Sequence, residues 1–325
     1  MKPIQRRTAL AMLGAAAASA TPFARSAEQW SPTKLVRIIV PIVGSTNDTL
    51  ARLVANKLQD ALGQAVIVEN KGGAGGNIGA AEVAKAAPDG HTLLTGFNGP
   101  IAINKTLFKS LPYDPEKDLT PITLAVSSPQ FLAVHPSVKA NNVKEFIELS
   151  KKKPMSYGSV SVGSASHLTM EMLKSATGAD ITHVPYKGAT QAVVDLVGGI
   201  VDAAFLVPGN ISQFVQEGRL KVIATTGTKR FPSMPQVPTM IEQGFPNFVA
   251  TSWIGFLAPG KTPPEIIKRY NQEIVKILRM PDVKAQLEKM EFEVVAGSPE
   301  QFRDWIKAEI PRWGAVIKST GARAD

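Results

Sequence analysis

The chain opens its ordered pattern with an apolar, β-branched run at residues 35–42, "LVRIIVPI", which predicts a buried strand. Residues 48–62, "DTLARLVANKLQDAL", switch to helical apolar spacing and stop at Gly63. A second strand follows at 65–70, "AVIVEN", then a glycine-rich turn at 71–79, "KGGAGGNIG". A helix is predicted at 80–88, halted by Pro88, and a strand at 91–96, "HTLLTG". Strands that alternate with helices in this way imply a parallel sheet covered by helices.

A second block repeats the alternation. Residues 122–136, "ITLAVSSPQFLAVHP", read as a long, interrupted extended segment, followed by a helix at 142–154. "MSYGSV" at 155–160 is a strand that enters a small-residue loop, and 165–178 is a helix with a glycine stop. A strand at 181–188, a helix at 189–199, a strand at 200–208, a helix at 211–218 and a strand at 219–227 complete it. Residues 228–248 are irregular and hold four prolines; a short extended piece at 252–260 and at least two helices, 263–280 and 299–321, end the chain. Two α/β blocks with a helical return suggest two lobes joined by crossings near 121–135 and 222–232. A cleft between lobes is a common place for a small ligand, with hinged closure as the expected motion.

The first residues stand apart. "MKPIQRR" is basic, "TALAMLGAAAASA" is an apolar stretch too short to span a bilayer, and small residues follow, so residues 1–26 read as a signal peptide cleaved after Ser26 or Ala20. Arg6-Arg7 is a loose match to a twin-arginine export signal. Removing this segment, which carries four basic side chains and no acid, takes the net charge from +9 to +5. A mild positive field suits anionic solutes, and no Lys/Arg run forms a nucleic-acid patch. Cysteine is absent, which excludes disulfides, a thiolate metal site and a cysteine nucleophile.

Candidate chemistry is sparse. Ser159, Ser161, Ser164 and Ser166 cluster beside His167, but the Gly-x-Ser-x-Gly elbow of a serine hydrolase is missing. The four histidines are scattered, without two-histidine metal spacing, so neither metal nor cofactor is expected. Gly73, Gly75 and Gly79 only loosely resemble a dinucleotide fingerprint, and the next strand ends without the acid that would hold a ribose. Two loops, 44–48 "GSTND" and 158–166 "GSVSVGSAS", each follow a strand and open a helix. Free backbone N–H groups, the positive end of the helix dipole and small hydroxyl or amide side chains make such places suited to a carboxylate.

Nine segments, among them "NDTLARLVANKL", "VIVENKGGAGGNIGA", "LPYDPEKDLTPI", "HVPYKGATQAVVDLVGGIVDAAF" and "WIGFLAPGKTP", together resemble the Bug-type (TctC-like) receptors of tripartite tricarboxylate transporters, in order along nearly the whole mature chain. The resemblance implies an α/β, two-lobed type II periplasmic-binding-protein fold, with residues 27–125 and 231–325 in one lobe, 126–230 in the other and a ligand cleft between them. It implies a monomeric periplasmic receptor, not an enzyme, that delivers a small dicarboxylate, amino acid or aromatic acid to membrane permease subunits. It places the ligand at Ser45, Thr46, Asn47 and Asp48 and at Ser159, Gly163, Ser164 and Ser166, with Asn98, Phe205 and Val207 lining the distal half. The first loop departs most from the family pattern: Pro41 to Asp48 is one residue shorter and lacks the usual Pro-Gly-Gly turn. An exported serine-dependent hydrolase and a solute sensor that signals to a partner protein are the alternative readings.

Overall fold

The structure, a computed structural model, describes residues 30–324; the signal-peptide reading of residues 1–26 lies outside them. From Ser31 onward the chain builds two sheets. The first has six strands: β1 (Val36–Val40), β2 (Val66–Asn70), β3 (Thr92–Phe97), β4 (Leu119–Pro129), β10 (Thr251–Pro259) and β11 (Glu293–Val294), in the order β11-β4-β10-β3-β1-β2. β1 pairs in parallel with β2 and β3, as the helix-joined pattern requires, whereas β10 runs antiparallel between β3 and β4.

The second sheet has the order β7-β6-β8-β5-β9, from β5 (Phe131–Val134), β6 (Ser156–Ser159), β7 (Thr182–Pro185), β8 (Ala203–Leu206) and β9 (Lys221–Thr225). Both faces of this sheet are covered. Alternate residues of β5 divide between two cores, Leu132 and Val134 on one face and Phe131 and Ala133 on the other. β8 divides in the same way, with Ala203 and Phe205 against Ala204 and Leu206. The two-residue side-chain period explains why these strands read as unbroken apolar runs.

The chain passes from one sheet to the other at Gln130, between β4 and β5. It returns later than the pattern predicts. Instead of crossing near 222–232, residues 231–248 stay with the second sheet: Phe231, Met234 and Val237 join one core, and Met240 and Phe248 the other. Thr226 ties the two crossings together. Its N–H donates to Gln130 O (2.8 Å), while its hydroxyl accepts from Gln130 N (2.9 Å) and donates to Ala250 O (2.6 Å).

Helices α1 (Thr46–Leu62) and α2 (Asn77–Ala84) cover the first sheet; α2 ends well before Pro88, through a turn at Lys85. Helices α3 (Asn104–Leu107), α4 (Val143–Ser150), α5 (Ala165–Thr177), α6 (Ala189–Val197) and α7 (Ser212–Gln216) follow in the chain, and the C-terminal region forms α8 (Pro264–Leu278), α9 (Pro281–Lys289) and α10 (Pro299–Thr320). α10 opens with a capping box in which Ser298 and Gln301 satisfy each other's backbone N–H groups. It is anchored by Glu309, which is almost fully buried. One carboxylate oxygen accepts from Trp253 Nε1 (3.0 Å), Trp313 Nε1 (2.9 Å) and Asn98 Nδ2 (3.2 Å), and the other from Arg312 (2.6 Å).

Removing that carboxylate strands three buried donors at once. Glu309→Ala is expected to lower the unfolding free energy by ~3–5 kcal/mol, measured by denaturant titration, and Glu309→Gln by clearly less.

Candidate ligand cavity

The two loops singled out by composition end at comparable helix starts. After β1, residues 41–45 turn and α1 begins at Thr46, with Ser45 in extended N-cap geometry. Ser45 does not cap with its side chain; its hydroxyl donates to Ile42 O (3.0 Å) instead. In the second lobe, α5 (Ala165–Thr177) starts after Ser164, whose hydroxyl accepts from His167 N (3.3 Å). The first N–H groups of a helix have no partner within it, so each start presents donors and a positive dipole end. The first loop thus leads into an α1 start with Ser45 at its N-cap.

Both starts line one cavity of about 70 Å³, with Ser45, Thr46 and Asn47 on one side and Ser164, Ala165 and Ser166 on the other. A single water needs only ~10–15 Å³, so the space suits a small solute. Phe97, Phe205, Val207 and Trp253 give it an apolar part. Among the described residues, its lining includes no Lys, Arg, His, Asp or Glu. A wider cleft of about 930 Å³ shares Ile42 with it and runs past Gly72–Gly76 and Lys187. The smaller cavity is the candidate site because both helix starts meet there.

Two lining amides have spare valence. Asn47 is 5% exposed and its Nδ2 has no partner. Gln130 is 1% exposed; its Nε2 donates to Thr169 Oγ1 (2.8 Å) and its Oε1 has no partner. The Ser164 hydroxyl donates to Ser161 O (2.7 Å), and Ser166 Oγ lies 3.1 Å from Ser164 Oγ while accepting from Val160 N. Asn98 lines the cavity, but its side chain is committed: Nδ2 donates to Thr251 O and Glu309, and Oδ1 accepts from Trp253 N.

Of the residues expected at the site, Ser45, Thr46, Asn47, Asn98, Ser164, Ser166, Phe205 and Val207 meet at this cavity. Asp48, Ser159 and Gly163 do not. Asp48, one helical step beyond Asn47, points along the outside of α1 and pairs with Arg52 (3.0 Å). Ser159 is fully buried, with its Oγ 2.6 Å from His183 Nε2. Gly163, at φ +74°, lets the loop press against the Asn104 side chain of the other lobe, where a Cβ would collide. Gln130, Asn210, Ser252 and Trp253 line the cavity without having been singled out. For Gln130 the sequence offers no distinguishing signal, since Thr123, Ser127 and Ser128 are uncharged polar residues of the same run.

Among the described residues the Ser164 hydroxyl, central to the hydrolase reading, partners Ser161 O, Ser166 Oγ and His167 N, none of them a base. The histidines nearby are structural. Tyr157, His183 and His167 stack in sequence, with centroids 4.8 and 4.1 Å apart. Burial pushes His167 down from 6.5 to about 4 and His183 to about 3. Neutral His167 accepts from Gly163 N (3.3 Å), which holds the second loop in shape.

The lobes touch at the edges of the cavity. The hydroxyl of Thr190 donates to Gly44 O (3.1 Å) across the gap. Gly188, at the start of α6 (Ala189–Val197), lies so close that a Cβ would sit 2.6 Å from Val43 O. At the opposite edge Gly209 packs against the Met290 backbone, and Glu291 accepts from Ser212 and Ser233 (2.6 Å for the latter).

A two-lobed fold enclosing a small cavity between its sheets is that of a periplasmic solute-binding protein. The chain belongs to the tripartite tricarboxylate transporter family receptors (TctC), whose sequence profile matches residues 50–322. It is 36% identical to Protein BugT of Bordetella pertussis over 318 residues, 97% of this chain and 98% of that protein. Its fold is similar to R. palustris Rpa4515, solved with adipate (TM-score 0.85, 34% identity, 90% of this chain and 99% of the other). It is also similar to MatC of Rhodopseudomonas palustris with bound malate (TM-score 0.82, 32% identity, 88% and 99%). The family is one of solute-binding receptors, not of enzymes.

His167 has a depressed folded pKa, so its contribution to stability is complete above the unfolded value near 6.5 and is lost as pH falls toward about 4. Across that window His167 alone is expected to lower the unfolding free energy by ~1.4 kcal/mol per pH unit, a slope that His167→Asn reduces in pH-resolved denaturation. Gly188 has φ 167°, which any residue adopts, so Gly188→Ala blocks contact between lobes without straining either one. Its radius of gyration by small-angle scattering is expected to exceed that of the parent, with unfolding free energy changed by less than ~1 kcal/mol.

Proposed function

We propose that the protein is a periplasmic receptor for a small organic carboxylate, which it encloses between its lobes and delivers to a membrane permease. The convergence of two helix N-termini on one cavity carries this reading. Backbone N–H groups at Thr46 and Asn47, the unpaired Asn47 Nδ2, and the α5 start with the Ser166 hydroxyl form a donor set for carboxylate oxygens. Anions are stabilised at such ends by dipole and hydrogen bonds together.

Adipate and malate in the related structures support the ligand class, and the net charge favours anions. The basic, apolar N-terminal residues support export to the periplasm. The lobes that close are the two sheets with their helices. The first runs up to residue 129 and resumes at 251; the second lies between the crossings at Gln130 and Ala250.

Thermal unfolding of the protein lacking residues 1–26 tests the reading against a panel of organic acids. A binding acid stabilises the native state by ~2.7 kcal/mol at 100 times Kd. Asn47→Asp, which sets a negative charge at the helix entrance, is expected to abolish the shift. Ser166→Ala is expected to weaken binding by ~1.5–3 kcal/mol if the hydroxyl meets the carboxylate. Ligand-free protein that no acid stabilises contradicts the proposal.

A further inference from the structure

The cavity is rich in donors, and one buried acceptor within it has nothing to accept. Gln130 sits on the crossing itself, its backbone held in both directions by Thr226 (2.8 and 2.9 Å). Its position is therefore fixed relative to both lobes. Its side chain is oriented from the second lobe, because Nε2 donates to Thr169 Oγ1 on α5 (2.8 Å). That bond leaves Oε1 buried, unpaired and on a residue that lines the cavity. A carboxylate cannot satisfy it, since an ionised carboxylate only accepts. Buried polar groups are nearly always paired, so an orphan acceptor in a ligand cavity marks the place of a ligand donor.

The kind of donor follows from the rest of the lining. An ammonium enclosed here would lack a counter-charge, because no Asp or Glu lines the cavity among the described residues. Burying an uncompensated cation is far more costly than burying a hydroxyl that makes its hydrogen bond. We infer that Gln130 is a specificity-determining residue that accepts from a ligand hydroxyl, so that the receptor selects hydroxycarboxylates over unsubstituted acids of the same length. This rests on the carboxylate reading above and adds the second functional group of the ligand.

Matched pairs test it by calorimetry: lactate and propionate, malate and succinate, 2-hydroxyglutarate and glutarate, with aspartate as the ammonium counterpart of malate. The hydroxy member of the best-bound pair is expected to bind at least about tenfold tighter than its partner, and tighter than aspartate. Gln130→Met keeps the side-chain length without the acceptor and is expected to bring the ratio near one. Thr169→Val, which frees the carboxamide to turn, narrows the ratio while the carboxylate is still bound. A purely structural role for Gln130 would lower the affinity of both members equally and leave the ratio unchanged. Equal affinities within every pair, aspartate matching malate, or a ratio that survives in both variants overturns this inference and leaves the carboxylate reading intact. If none of the seven acids binds, the inference falls, while the carboxylate reading is decided separately by the wider acid panel.

Discussion

The molecule depends on the small hydrogen-bonded knot where its crossings meet. Gln130, Thr226 and Ala250 are far apart in sequence, yet one threonine hydroxyl accepts from the first and donates to the last. The knot pins the two places where the chain leaves one sheet for the other, between β4 and β5 and between β9 and β10. That in turn sets how the helix starts at Thr46 and Ala165 face each other. Gln130, one member of the knot, also lines the cavity.

The grip we propose there is uncharged. A buried Arg or Lys would attract an anion strongly, but it would also have to be desolvated, and it would remain unpaired whenever the cavity is empty. Helix N-termini and amides avoid that cost because their donors are neutral and fixed by the backbone. A receptor has to release its ligand, and neutral donors together with close contacts between lobes suit reversible enclosure. Gly188 and Gly209 are each pressed on the backbone of the other lobe. The carboxylate of Glu309 supports the site from behind by holding Asn98 and Trp253, both in the lining.

Much of the fold was legible along the chain. Apolar runs and helical spacing mark the strands and helices, and glycine stops such as Gly63 and Gly178 end helices in left-handed geometry. The antiparallel insertion of β10 between β3 and β4 was not legible, because pairing between residues more than a hundred positions apart leaves no local trace. Nor was the late return: the crossing was expected near 222–232, whereas Phe231 and Phe248 still pack into the cores of the second lobe. At the site, composition found both helix starts but not the direction of each side chain. Asp48 and Ser159 have the right chemistry and point elsewhere, one to Arg52 and the other to His183. Gln130 and Glu309 went unnoticed because a single polar residue in a strand or helix acquires meaning only from what surrounds it.

The claim at the centre is that the cavity between the two helix starts holds a small organic acid by neutral donors. Native mass spectrometry of the receptor as isolated from its own cell envelope, followed by release and identification of the bound solute, tests it most directly. The account predicts one carboxylate of few carbons carrying a hydroxyl, lost when Asn47→Asp is isolated in the same way. A cationic or carboxyl-free solute, or the same acid retained at full occupancy by Asn47→Asp, would contradict it.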